Sequence, residues 1–132
     1  MNAFFGFLLL LLAHSQQLFA DELPNDATLQ RSIEGTWERS DSFTKWSLTF
    51  TTNGIYYERD FNVHSNAQKT FAYEGKWQIQ SGTLITTITK TSVPDVEPVG
   101  STHRYKIIRL DATDFVYRSE DGQTAPLKRK GG

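Results

Sequence analysis

Apolar and polar residues alternate along most of the chain after Ile33, and this alternation limits the possible folds more than any other feature. The alternating positions with mainly apolar side chains are Trp46, Leu48, Phe50, Phe71, Tyr73, Gly75, Trp77, Ile79, Leu84, Thr86 and Ile88. A period of two places successive side chains on opposite faces of a strand. The pattern therefore predicts antiparallel sheet with one buried face and one face in water.

Short turn motifs separate these runs. Asn53-Gly54, Ser81-Gly82 and Asp121-Gly122 each offer the positive φ that a tight hairpin needs. The segments between turns give eight candidate strands at 35–39, 43–51, 55–61, 70–79, 83–91, 102–110, 114–119 and 124–129. Because closure removes the unpaired edges of a meander, we predict an all-β fold, an eight-stranded antiparallel up-and-down barrel.

A short helix is predicted ahead of the first strand. Asn25 or Asp26 can cap its free amides, and Leu29 and Ile33 lie four residues apart on one face. A helix of this length is not stable alone in water, so we expect its apolar face to dock on the barrel.

The first twenty residues contain no Asp, Glu, Lys or Arg, and Phe4 to Ala13 carry no polar side chain. As a helix this apolar run would extend about 15 Å, too short for the ~30 Å core of a bilayer. A polar stretch and Ala20 follow, which is the order of a secretory signal peptide. We predict a signal peptide at 1–20 and a periplasmic or secreted domain at 21–132 with no transmembrane span after cleavage. The alternative is an uncleaved interfacial anchor.

Composition argues against several classes of function. The net charge of −1 disfavours nucleic acid as a partner, and the absence of Cys excludes a disulfide framework and a thiolate metal site. After the leader the histidines are His64 and His103, without a fixed carboxylate partner. We therefore predict no catalytic residues, no metal and no cofactor, and a protein that is not an enzyme.

Turn geometry predicts how two hairpins pair. A two-residue turn at Ser81-Gly82 aligns Ile79 with Leu84 and Trp77 with Thr86 on one apolar face.

At Asn53-Gly54 a two-residue turn places Tyr57, Arg59 and Phe61 inside, whereas a three-residue turn with a bulge places Tyr56, Glu58 and Asp60 inside. We favour the first register, because burying two carboxylates costs more than burying one guanidinium.

Several short motifs resemble the small secreted bacterial lipocalin-like domains of the calycin superfamily. They are Gly35-Thr36-Trp37, Leu48-Thr49-Phe50, Asn53-Gly54-Ile55-Tyr56, Gly75-Lys76-Trp77 and Gly82-Thr83-Leu84. The resemblance covers nearly all of the chain after the leader and implies a non-enzymatic protein that binds a small hydrophobic or amphipathic molecule. The avidins, a second calycin branch, share the first motif, but their biotin-binding set is not recognisable here.

The resemblance also implies a structural role for three residues. In lipocalins the Trp of the first motif packs at the closed barrel end against a basic residue of the last strand. This role would fall to Gly35, Trp37 and Arg129, with Lys128 as the alternative base. The chain departs from typical lipocalins in its shorter length, its lack of a disulfide and its Pro126. Because proline cannot donate a ladder hydrogen bond, Pro126 predicts partial closure between the last and first strands.

An eight-stranded barrel is wide enough either to be filled by side chains or to hold one small ligand, and the residues leave both readings open. The predicted ligand-binding residues are Trp46, Phe50, Tyr57, Arg59, Phe61, Phe71, Tyr73, Trp77 and Ile88. Arg59 is the predicted anchor for a carboxylate or phosphate group, and its alternative role is an ion pair at the rim or in water.

Loop 92–101 supports a different hypothesis. Its Val93, Val96 and Val99 are spaced among prolines and polar residues, so that they could form a contact patch on a stiffened loop. The alternative function is therefore a protein-binding, inhibitor or envelope accessory module with a filled barrel core.

Overall fold

The computed structural model describes residues 22–62 and 70–131. The predicted leader and His64 lie outside these residues. The elements are α1 (Asp26–Ile33), β1 (Gly35–Ser40), β2 (Thr44–Phe50), β3 (Ile55–Asn62), β4 (Thr70–Gln80), β5 (Thr83–Thr91), β6 (Thr102–Leu110), β7 (Asp114–Arg118) and β8 (Thr124–Arg129). Each predicted strand is present, with ends that differ by at most one residue.

The strands form a closed barrel in which each pairs antiparallel with the next and β8 returns to β1. This confirms the predicted up-and-down barrel. The β1–β8 seam is short, with Trp37 opposite Arg129 and Glu38 opposite Lys128. The barrel is therefore closed, but across the seam it is held by fewer residue pairs than elsewhere among the described strands.

The β4–β5 hairpin has the predicted register. Ile79 lies opposite Leu84 and Trp77 opposite Thr86. Ser81 and Gly82 both have positive φ, at 51° and 72°, as a two-residue hairpin turn requires. All four paired side chains are buried, which explains why alternation and turn type agree here.

Helix α1 covers one end of the barrel, here called the closed end. The Asn25 side chain caps the helix by accepting from the Thr28 amide at 2.9 Å. Leu29 and Ile33 are fully buried. The carboxylate of Asp26 accepts from the backbone amides of Ser81 and Gly82 at 2.7 and 2.9 Å, so it fastens the start of the helix to the β4–β5 turn.

Trp37 and Arg129 fasten the other end of the helix. The Trp37 indole donates to the carbonyl of Ile33 at 2.8 Å, and the Arg129 guanidinium lies 4.2 Å from the Trp37 ring centroid. Arg129 also donates to the carbonyls of Ser32 and Glu34, both at 2.6 Å, and so satisfies acceptors at the helix C-terminus.

Gly35 leaves room for that guanidinium. Its φ is +118°, and a Cβ there would lie 2.6 Å from Nη1 of Arg129. A larger residue at this position would therefore displace the arginine from the helix end.

Candidate ligand-binding site

The β2–β3 hairpin determines which side chains enter the barrel, and its register differs from the favoured prediction. Phe50 pairs with Tyr56, Leu48 with Glu58, and Trp46 with Asp60. The turn has three residues between Thr51 and Ile55, whose amide and carbonyl pair at 2.9 Å. Gly54 ends the turn with φ +81°, the left-handed residue of a hairpin with a bulge.

In this register three predicted site residues lie on the opposite face of the strand from the one predicted. Tyr57, Arg59 and Phe61 lie on the outer face of β3, where Tyr57 is 44% exposed and Phe61 37%. The predicted inward anchor role of Arg59 is therefore wrong. Tyr56 and the two carboxylates occupy the inner face instead, the arrangement that the sequence argument rejected.

The two carboxylates are accommodated because they do not behave as two isolated charges. The Tyr56 hydroxyl donates a hydrogen bond to Glu58, and the Glu58 and Asp60 carboxyls lie close enough for each to change the pKa of the other. Burial raises the pKa of Glu58, and burial together with the neighbouring Glu58 charge raises the pKa of Asp60 to about 8. At neutral pH the pair shares a proton, which removes much of the expected desolvation penalty.

Tyrosines surround the carboxyl pair. Tyr73 lies directly opposite Glu58 on β4, and Tyr105 of β6 packs edge-on against Tyr117 of β7 with their centroids 4.9 Å apart. Burial raises the pKa of Tyr73 to about 12 and that of Tyr105 further. These phenols are neutral at physiological pH, and Tyr73 and Tyr105 line the interior.

Loop 92–101 brings a further acid and a histidine to the same end of the barrel, here called the open end. Glu97 on this loop is hydrogen-bonded to His103 at the start of β6. Both line the interior beside Glu58 and Asp60. From the sequence His103 has no fixed carboxylate partner and Glu97 is not a candidate, since no local motif relates two residues that a loop brings together.

A cavity of about 180 Å³ lies at the open end. Its lining is Tyr56, Glu58, Asp60, Tyr73, Thr86, Ile88, Glu97, His103 and Tyr105. Towards the closed end the interior is filled by Trp37, Leu48, Phe50, Leu84, Phe115 and Leu127, which leave a space of about 20 Å³. The interior is thus filled by side chains in one half of the barrel and leaves a cavity in the other.

The other predicted ligand-binding residues divide between these halves. Phe50 and Trp77 are core residues in edge contact at 5.7 Å, and the Trp77 indole donates to the carbonyl of Thr51 at 3.1 Å. Trp46 and Phe71 are half-buried on the strands that flank Asp60, and Ile88 is buried at the cavity wall. The structure therefore brings Tyr73 and Ile88 to the cavity and assigns Phe50 and Trp77 to the packed half.

The closed barrel of eight antiparallel strands, with a helix over one end and a cavity at the other, is a lipocalin-like fold. Among solved structures the chain is similar to a lipocalin-like protein from Bacteroides uniformis ATCC 8492, with a TM-score of 0.53 and 10% sequence identity. The match covers 74% of this chain and 98% of that one. No family model and no curated protein matches the chain. Within the described residues no helix is long and apolar enough to cross a membrane.

Proposed function

We propose that the protein is an exported, non-enzymatic binding protein that holds one small amphipathic molecule at the open end of its barrel. The cavity of about 180 Å³ carries this proposal, because the rest of the interior is packed. Its size suits a compact ligand, since drug-sized ligands occupy pockets of roughly 300 Å³ or more. Tyrosine rings would contact the apolar part of the ligand, and carboxyl groups its polar part.

Fluorescence titration with a panel of small amphipathic molecules tests binding. Trp46 lies opposite Asp60, so we expect an occupant of the cavity to change its emission. Tyr73→Ala, which removes an inward ring, should abolish the change, whereas Tyr57→Ala, which removes an exposed outward ring, should not. An unperturbed emission across the whole panel, together with no small molecule on the protein purified from its host, would refute the proposal.

Export is supported by the charge-free apolar leader at 1–20. We expect the protein from its native host to begin near Asp21. Mass spectrometry of the intact protein gives the mass directly, and retention of the leader would contradict export as a cleaved protein.

Loop 92–101 supports a second candidate function, recognition of a protein. Val96 and Val99 are 77% and 63% exposed. The loop is held to the barrel by hydrogen bonds from Gly100 N to Ile88 O at 2.8 Å and from Ser92 N to Ala72 O at 2.9 Å. A photo-crosslinker placed at Val96 in the host should then give a discrete product that the same group at exposed Arg118 does not give.

A further inference from the structure

The inner face of β3 leaves a polar atom of Asp60 without a partner. Its Oδ1 is buried and accepts no hydrogen bond from a donor of the described residues. An unsatisfied buried carboxylate oxygen is unfavourable unless a ligand or water meets it. Asp60 lines the same cavity as Glu58 and Glu97.

Thr86 provides an independent observation on the opposite wall. Its side chain is 1% exposed and lines the cavity, yet its hydroxyl has no hydrogen-bond partner. Tyr105 of β6 lies beside Thr86 on this wall. Leu84 and Ile88, its neighbours on this face of β5, are apolar, so packing alone does not call for a hydroxyl here.

Aromatic rings complete the walls. Tyr56, Tyr73 and Tyr105 line the cavity around the carboxyl pair. The faces of such rings attract cations, and organic ammonium groups are commonly recognised by combinations of rings and carboxylates. A carboxylic acid or phosphate ligand would instead meet the negative charge of the Glu58–Asp60 pair at close range and be repelled.

We propose that the ligand of this cavity is a compact organic cation, an ammonium or quaternary ammonium group held between the Glu58–Asp60 pair and the tyrosine rings, with its polar tail near Thr86. This inference rests on the proposed function and narrows its ligand class.

Binding of a cation should depend on pH, because the shared proton opposes it. The charged or titratable groups that face the pair are Arg39 of β1, Tyr56 of β3, Tyr73 of β4, His103 and Tyr105 of β6, Tyr117 of β7, and Glu97 of the loop. The Arg39 guanidinium stacks 4.1 Å from the Trp46 ring centroid and lowers the pKa of Asp60, but burial outweighs it. Since the pKa of Asp60 lies near 8, affinity for a permanent cation should rise between pH 6 and pH 9.

Choline and its neutral carbon isostere 3,3-dimethylbutan-1-ol are the matched probes. They have nearly the same shape, and choline carries a charge that does not titrate. By isothermal titration calorimetry at pH 9 we expect choline to bind at least about tenfold more tightly than the alcohol. At pH 7.5, titrations in buffers of different ionisation enthalpy should show that protons are released on choline binding.

Two conservative variants assign the effect to the carboxyl pair. Glu58→Gln and Asp60→Asn keep the size of each side chain, and both should lower choline affinity at pH 9 by about tenfold while leaving the alcohol unaffected. Because each removes a buried charge, neither is expected to lower the melting temperature. Glu74→Gln, on the neighbouring strand but opposite the exposed Tyr57, is the control and should bind choline like the wild type.

The outcomes separate this inference from the proposed function. Equal binding of choline and the alcohol, with dependence on Tyr73, would overturn the cation assignment and leave the binding function standing. The cation assignment would also be overturned if Ca²⁺, added as calcium chloride, bound stoichiometrically and prevented choline binding, because the site would then select a metal ion. Wild-type choline affinity in both carboxyl variants would overturn it as well. If the protein binds neither probe but binds other molecules of the fluorescence panel, the cation assignment is rejected and the binding function stands.

Discussion

The two ends of this barrel are built from different chemistry. At the closed end, the Trp37 ring is fully buried, the Arg129 guanidinium stacks on it, and helix α1 covers both. At the open end, Glu58 and Asp60 share a proton among tyrosines, and two buried polar atoms lack partners. At the closed end Trp37 and Arg129 donate to backbone carbonyls, whereas at the open end Asp60 Oδ1 and the Thr86 hydroxyl are left for a ligand or water.

This difference indicates a division of roles along the barrel axis. Burial of large apolar groups and capping of the helix stabilise the closed end. Unsatisfied and protonated groups at the open end lower stability there, which is a common property of binding sites. Substitutions at the closed end should therefore change unfolding, and substitutions at the open end should change pH dependence and binding.

The largest expected effect is at Trp37. Trp37→Ala removes a fully buried ring and its hydrogen bond to Ile33, and should lower the free energy of unfolding by about 3–5 kcal/mol in urea titration. Trp46→Ala, at the half-buried open end, is the matched variant and should lose about half as much. An equal loss from both would mean that the two ends do not differ in packing.

Arg129→Met is the next test of the closed end. It keeps a long apolar side chain but removes hydrogen bonds to the carbonyls of Ser32, Glu34 and Ala112. We expect a loss of about 2–3 kcal/mol in the same measurement. Exposed Arg118→Met should change stability by no more than about 0.5 kcal/mol, and a similar change at both positions would contradict the capping role of Arg129.

Asp60→Asn tests the open end through the pH dependence of stability. The pKa of Asp60 is about 8 in the fold and about 3.9 in an unfolded chain. The folded state therefore holds the proton more tightly, so the wild type should lose stability as pH rises from about 4 through 8.

The variant should have a shallower slope over that range and be more stable than the wild type by about 1–2 kcal/mol at pH 9, after allowance for solvent screening of a partly buried group. Melting temperatures at pH 5 and pH 9 measure this difference. Asp95→Asn, in exposed loop 92–101, should follow the wild-type curve. Parallel curves for Asp60→Asn and the wild type would show that Asp60 is ionised throughout.

The smallest effect is expected at Arg59. Since its side chain lies on the outer face of β3, Arg59→Ala should leave both the melting temperature and choline affinity at wild-type values. Selective weakening of acidic ligands by this variant would restore the inward register that the sequence argument favoured.

Most of the fold could be predicted from sequence because local signals agreed. Around Ser81-Gly82, apolar residues at Trp77, Ile79 and Leu84 leave one face that can be buried, and the turn type matches it. Asn25 likewise predicts the helix start, and the spacing of Leu29 and Ile33 predicts its docked face.

The register at Asn53-Gly54 was less well determined because Tyr56 and Tyr57 are both aromatic, so that alternation fits either face. The two registers then differ in whether carboxylates are buried, and burial of two separate carboxylate charges is unfavourable. The structure shows that Tyr56 donates to Glu58 and that Glu58 and Asp60 form a close pair in which each group changes the pKa of the other. The glycine at the third turn position does favour the observed register, because a glycine there is typical of a three-residue hairpin turn with a bulge. The Glu97–His103 pair depends on loop folding and had no comparable signal.

The carboxyl pair inside the open end can be tested most directly by NMR titration of the side-chain carboxyl carbons in ¹³C-labelled protein. The inward register predicts that Asp60 titrates near pH 8, with a coupled response at Glu58. Titration of both groups near pH 4, as for carboxylates in water, would place them outside the barrel and contradict the site described for this protein.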